Sequence, residues 1–277
     1  MNEPLPMRIA GIQFSCSQDK NKNIDKALEF LDLAMDKGVS IVCFHEIFNL
    51  FWFPRERNGS FFDLADEPKS FLFKPFFERA KKYKVSILLP FFEKARHTYY
   101  NSCMVINGEG ELVGIYRKVH LAQIPLWEEE YYFSRGSDFP VFSLGPVKIG
   151  IQLSWDNLYP EGTRILALKG AQIVFAPTAC AFRTQNLWET VIKANAITNG
   201  LYIMRVNRVG SERQQDFYGM SFCVDPEGEL ISGPAAMYDS LIIAEIDLDH
   251  QKKVRDMWPL LKRRLPEAYS ELIRGDY

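Results

Sequence analysis

Residues 146–161, PVKIGIQLSWDNLYPE, hold one small polar side chain where it could react. The apolar run from Val147 to Leu153 predicts a buried strand that stops at Ser154, and Trp155, Asp156 and Asn157 turn the chain into a segment starting at Pro160. A strand, a sharp turn and a helix would lift the Ser154 hydroxyl to a helix N-terminus, where free backbone N–H groups favour developing negative charge, as a nucleophile requires. Taken alone, Ser154 reads more simply as a turn or capping serine. Two further groups stand where apolar strands run out. Glu46 ends the run Val39 to His45, and a carboxylate there must be paired, shift its pKa or escape into the following loop. Lys118 follows the run Glu111 to Arg117, with Glu128, Glu129 and Glu130 soon after; singly, the lysine reads as a solvated residue and the glutamates as an exposed acidic face. A hydroxyl, a carboxylate and an ammonium group gathered at strand ends together point to chemistry.

The elements that must position them alternate in type. Strands are predicted at Arg8 to Phe14, Val39 to His45, Lys84 to Phe92, Tyr99 to Asn107, Glu111 to Arg117, Phe139 to Phe142, Gln172 to Ala176, Leu201 to Val206, Met220 to Asp225, Glu229 to Ser232 and Leu241 to Ile246. Helices fit Asn23 to Lys37, closed by Gly38, and Lys69 to Tyr83, Glu161 to Lys169 and Asn186 to Asn199. Asn107-Gly108-Glu109-Gly110 and Pro226-Glu227-Gly228 mark two hairpins, so the fold class is α/β with partly antiparallel sheets. The loop from Ile47 to Asp63 carries six Phe and Trp residues and should pack over a pocket or into a subunit contact.

At 277 residues and 47% hydrophobic content, residues 1–277 can fold as a single domain around a large core, with 249–277 a charged, partly helical arm. Thirty-three basic against thirty-five acidic side chains leave a net charge of -2, which removes the global basic field expected of a protein that binds nucleic acid or an anionic membrane. A small-molecule partner is expected instead. MNEPLPMRIAG has no signal-peptide pattern and no apolar run reaches the length of a membrane span, which predicts a cytoplasmic protein. Five widely spaced cysteines suit reduced thiols, and four scattered histidines without ligand spacing predict no metal; no other cofactor is expected.

FHEIF around Glu46, YRKVHL around Lys118, EEEYYFSRG around Glu129 and GIQLSWDNLYPEGTR around Ser154 resemble, in order, the signature blocks of the nitrilase superfamily of carbon–nitrogen hydrolases. GAQIVFAPTA, WETVIKANAITNGLYIMRVNRVG and FYGMSFCVDPEGE extend the resemblance from Met7 to about Asp249. It implies a four-layer αββα sandwich that pairs as a homodimer or higher homo-oligomer, and a Glu-Lys-Glu-Cys site. Glu46 is then the general base, Lys118 the cation at the oxyanion, and Glu129 the second acid, with Glu128 its nearest competitor. The backbone N–H of Trp155 would complete the oxyanion donors.

Ser154 stands where the family carries its cysteine. A serine hydroxyl is far less acidic than a thiol, and a thousandfold loss of rate corresponds to about 4 kcal/mol of transition-state stabilisation. The chain is therefore read as an inactivated variant, either an engineered Cys→Ser change or a natural pseudoenzyme that binds without turnover; retention of every other catalytic position favours the first. Cys180, after a different strand, is given little weight as a replacement. The SWD block resembles amide- and ureido-cleaving branches more than true nitrilases, which remain the alternative, and IFNLFWFP and FFDLADE resemble N-carbamoyl amine and N-carbamoyl β-amino acid hydrolases. Substrate contacts are expected from Phe53, Trp155, Asp156, Thr178 and Arg183, with Arg205 and Arg208 as further candidates for a substrate carboxylate.

Overall fold

Alternation along the first strand decides the layering. In the computed structural model, which describes residues 7–181 and 185–274, β1 (Met7–Gln13) turns Ile9 toward a second sheet and Ala10 and Ile12 toward helix α1 (Lys20–Met35). Asp19 caps that helix by accepting from the N–H groups of Asn21 and Lys22, and Gly38, at φ +68°, lets the chain turn back behind it. β2 (Ile41–Phe44), β3 (Ser86–Ala95), β4 (Thr98–Ile106) and β5 (Leu112–Arg117) continue the first sheet, and α2 (Lys74–Tyr83) joins α1 on its outer face. The helix predicted from Lys69 begins late. Pro75 is tolerated only in a first helical turn, so Phe71–Phe73 form a separate 3-10 turn ahead of it.

After β5 come a small ribbon of β6 (Gln123–Ile124) and β7 (Trp127–Glu128) and the single turn α3 (Glu129–Tyr132). The second sheet is built from β8 (Val141–Leu144), β9 (Val147–Ile151), β10 (Ile173–Thr178), β11 (Tyr202–Asn207), β14 (Phe222–Val224) and β15 (Leu230–Ser232), with α4 (Pro160–Leu168) and α5 (Gln185–Asn199) between its strands. β12 (Val209–Glu212) and β13 (Gln215–Tyr218) form a separate ribbon that the sequence reading missed. β16 (Ser240–Ile246) returns to the first sheet beside β1, and α6 (Leu248–Met257) docks through Gln251, whose amide donates to the carbonyls of Gln172 and Gly200.

Among the described residues the result is two six-stranded sheets, ordered β16-β1-β2-β3-β4-β5 and β15-β14-β11-β10-β9-β8, flanked by helices. Ile9, Cys43, Val105 and Tyr116 of the first meet Ile149, Ile151, Met204 and Val206 of the second in a shared apolar core, giving the expected αββα layering. β1, β2 and β3 run parallel, and the antiparallel meander β3–β4–β5 points β5 the same way. Glu46 and Lys118 therefore follow strand ends on the same side of the first sheet. β9 and β10 are also parallel, so Ser154 and Cys180 leave one edge of the second. None of the described helices is long and apolar enough to cross a membrane.

Candidate active site

Lys118 Nζ donates to Glu46 Oε1 at 2.9 Å and to Glu129 Oε1 at 2.7 Å, and all three side chains are fully buried. Asn101, from β4, donates its Nδ2 to the same Glu46 oxygen at 2.8 Å, and the Ala122 N–H donates to Glu129 Oε2 at 2.9 Å. Glu46 Oε2 accepts from no described residue, which leaves one buried carboxylate oxygen for a proton or a ligand. Burial works against the Lys118 ammonium, but the charges of Glu129 and Glu46 outweigh it and hold its pKa above the ordinary lysine value. Burial pushes the Glu129 carboxyl up to about 7, with Lys118 opposing the rise and Glu46 adding to it. Of the three consecutive glutamates only Glu129 reaches the lysine; Glu128 pairs with Arg57 and Glu130 with Arg135.

Ser154 opens a 3-10 turn, Ser154–Leu158, at φ +44°. A serine in the left-handed region is strained, and such strain persists only where surrounding contacts hold it. Asn157 is one of these, donating Nδ2 to the carbonyls of Gln152 and Ser154. Asp156 is the other. Its Oδ2 accepts from the Tyr116 hydroxyl at 2.5 Å and the Leu153 N–H at 3.1 Å, while Oδ1 accepts from His120 Nδ1 and the N–H groups of Val119 and His120.

That geometry corrects several expected substrate contacts. Asp156 is fully buried and its oxygens are occupied by five protein donors, so it joins the nucleophile turn to the Lys118 segment and offers nothing to a ligand. Phe53 is fully buried among Phe61, Phe92, Tyr132 and Phe133, because the aromatic loop packs inward on its own chain. Thr178 is also buried, its hydroxyl donating to Asn207 Oδ1 at 3.0 Å. Arg208 is spent on Glu212 and on the carbonyls of Glu46, Ile47 and Leu50, and so holds the turn after Glu46 in place. Arg183 lies outside the described residues. Sequence reasoning missed Asn101, which carries no local signal; Cys180, to which it gives little weight, has its Sγ 3.7 Å from Ser154 Oγ.

Trp155 does line a cleft. It opens beside the Ser154 turn, has a volume of about 570 Å³, and is walled by Trp127, Trp155, Leu158, Cys180 and Trp188. Gln214, Gln215 and Asp216 of the β12–β13 ribbon form part of its rim, and Asp216 is the one charged side chain among the described lining residues. Trp127 is pinned by donating its indole N–H to the Ala179 carbonyl at 3.2 Å. Away from the cleft, Asp225, Glu227 and His250 bring ligand atoms within 4.8 Å of one another, but one Asp225 oxygen is taken by the N–H groups of Glu227 and Glu229.

The carbon-nitrogen hydrolase family matches residues 8–256. Over 97% of its length the chain is 32% identical to an N-carbamoylputrescine amidase of Solanum tuberosum, covering 95% of that protein, and over the same share it is 31% identical to a citrullinase of Francisella tularensis, covering 98%. A carbon-nitrogen hydrolase from Helicobacter pylori G27 superposes with a TM-score of 0.90 at 32% identity, covering 97% of this chain and 98% of that one. An amidase from Nesterenkonia sp. shares the fold, with a TM-score of 0.81 at 22% identity. With its family match, its relatives and two helix-flanked sheets in agreement, this chain belongs to the carbon–nitrogen hydrolase family, the nitrilase superfamily.

Proposed function

We propose that this site cleaves the terminal C–N bond of a linear N-carbamoyl amine or similar amide, releasing ammonia and, from a carbamoyl head, carbon dioxide. The observation that carries the reading is the buried Glu46–Lys118–Glu129 cluster behind a strained nucleophile turn. A planar carbamoyl head needs a base, a cation for the tetrahedral oxyanion and a second acceptor for its N–H groups; Glu46, Lys118 and Glu129 supply them in that order, with the Trp155 N–H as the further oxyanion donor. Glu46 Oε2 has the unpaired acceptor that a proton-transfer group needs.

The cleft supports a choice of tail. Three indole side chains and one carboxylate, Asp216, make a wall suited to an aliphatic chain ending in an ammonium group, through cation–π and ionic attraction. This agrees with the name of the N-carbamoylputrescine amidases to which the chain is similar.

Ser154 favours a second reading, a protein that binds such compounds with little or no turnover. Ammonia release by this chain and its Ser154→Cys variant, over N-carbamoyl amines, N-carbamoyl amino acids, simple amides and nitriles, separates the cases. Turnover of a carbamoyl amine by Ser154→Cys supports the disarmed hydrolase, an inert but folded variant supports the binding protein, and turnover of nitriles alone supports a true nitrilase. Trp258, Leu265, Leu272 and Ile273 are exposed on the C-terminal arm, and we assign that surface to a second copy of the chain; sedimentation as a monomer would contradict it.

A further inference from the structure

The Cys180 thiol takes no part in that chemistry. Asn207 holds the backbone of Cys180 on both sides, its Oδ1 accepting the Cys180 N–H at 2.8 Å and its Nδ2 donating to the Cys180 carbonyl at 3.1 Å. So held, Cys180 forms part of the cleft wall with its Sγ 3.7 Å from Ser154 Oγ. Below it lies Arg205, a guanidinium only 1% exposed that makes no ion pair among the described residues. Its Nη2 donates to the Tyr218 hydroxyl at 2.8 Å, the rings of Trp188, Tyr218 and Phe222 surround it, and its Nε has no acceptor. With no counter-anion among the described residues, this buried cation favours negative charge forming beside it, and it lowers the Cys180 pKa against the larger rise from burial.

We propose that Cys180 is a second nucleophile of this site, the atom that captures the acyl or carbamoyl carbon while position 154 is serine. The inference rests on the hydrolase reading of Glu46 and Lys118. As the Sγ–C bond forms, the thiol proton passes to Glu46 Oε2, and Lys118 balances the oxyanion. Breaking the C–N bond returns that proton to the departing nitrogen. Water then attacks the thioester and gives a proton to Glu46; the C–S bond breaks and the thiol recovers that proton. Burial raises the Cys180 thiol to about 11, yet sulfur remains a far stronger nucleophile than the neighbouring alcohol.

Acrylamide tests this, since it joins a planar amide head to an electrophilic carbon; addition forms an Sγ–C bond and moves the thiol proton to the adjacent carbon. The chain and its Ser154→Ala, Ser154→Cys, Cys180→Ser and Cys180→Ala variants are treated with acrylamide, adducts are mapped by peptide mass spectrometry, and ammonia release from an N-carbamoyl amine is measured in parallel. Cys180 should be labelled at least ~10-fold faster than the partly exposed Cys16, with protection by the N-carbamoyl amine. Residual release should vanish in both Cys180 variants, whose melting curves report folding. An unlabelled Cys180 under conditions that label residue 154 of Ser154→Cys overturns the proposal and leaves the hydrolase reading standing, as does release that depends on Ser154 alone. If Ser154→Cys is inert in both assays, the hydrolase reading falls and this proposal with it.

Discussion

Asp156 Oδ1 accepts both the backbone N–H of His120, at 2.8 Å, and its ring Nδ1, at 3.0 Å, so the turn bearing Ser154 and the segment bearing Lys118 are joined through one carboxylate. The His120 ring in turn stacks on Tyr159 at 3.7 Å, which orients its Nδ1–H toward Asp156. Asp156→Ala should strand several buried donors and cost about 3 kcal/mol or more of stability. Asp156→Asn keeps one acceptor oxygen and should fold. In the Ser154→Cys background it should lower kcat by ~100-fold with little change in KM, the mark of lost positioning, readable by steady-state kinetics.

Removing the cation should be worse for the fold than removing either anion. Lys118→Met leaves Glu46 and Glu129 fully buried and facing each other without compensation, which should cost about 3–5 kcal/mol near neutral pH. Because burial already pushes the Glu129 carboxyl toward its neutral form, its protonation should return part of that loss in acid. Urea unfolding near pH 5 and pH 8 checks both the loss and its recovery, and ammonia release should be absent throughout.

Glu129 carries a stability signature of its own. Its folded pKa of about 7 lies above the ordinary value of 4.5, so between the two the folded protein keeps a proton that the unfolded chain has lost. The resulting contribution is fully present below the lower value and is lost as pH rises through the upper one. Glu129→Gln removes this titration. The stability of the parent chain relative to the variant should therefore fall across that window and level off above it, while a flat difference would place the buried proton elsewhere.

Asp216 should select the tail without touching the chemistry. In Ser154→Cys, Asp216→Asn is expected to raise KM for an N-carbamoyl amine with a terminal ammonium by about 3–10-fold, and to leave a small neutral amide unchanged. Equal effects on both substrates would remove Asp216 from the tail site.

The placement of Glu46, Lys118 and Ser154 just past strand ends is legible in the sequence because strand periodicity shows where such runs stop. What lies beside those ends depends on strand order, which periodicity does not encode. Cys180 was discounted for following a different strand, yet β10 is the parallel neighbour of β9 and its end lies next to the Ser154 turn. Asn101 escaped notice for the same reason: β4 reaches Glu46 only through the meander that also delivers Lys118. Phe53 illustrates the limit: an aromatic loop must bury its rings, but composition does not say whether a ligand or the chain's own Phe92 and Phe133 will cover them.

β16 pairs with every residue of β1, from Met7 with Ile246 to Gln13 with Ser240, so the first of the described strands is closed by the last of them. Until residues 240–246 leave the ribosome, β1 waits with one edge open and the first sheet is unfinished. Pairing across so much of the chain carries a high loop-closure cost, which predicts late closure of this sheet in folding, testable by hydrogen-exchange labelling during refolding. Fragments ending before β16 would display an apolar strand edge suited to pairing with other chains, so a truncated product should aggregate rather than persist as a weakly active enzyme.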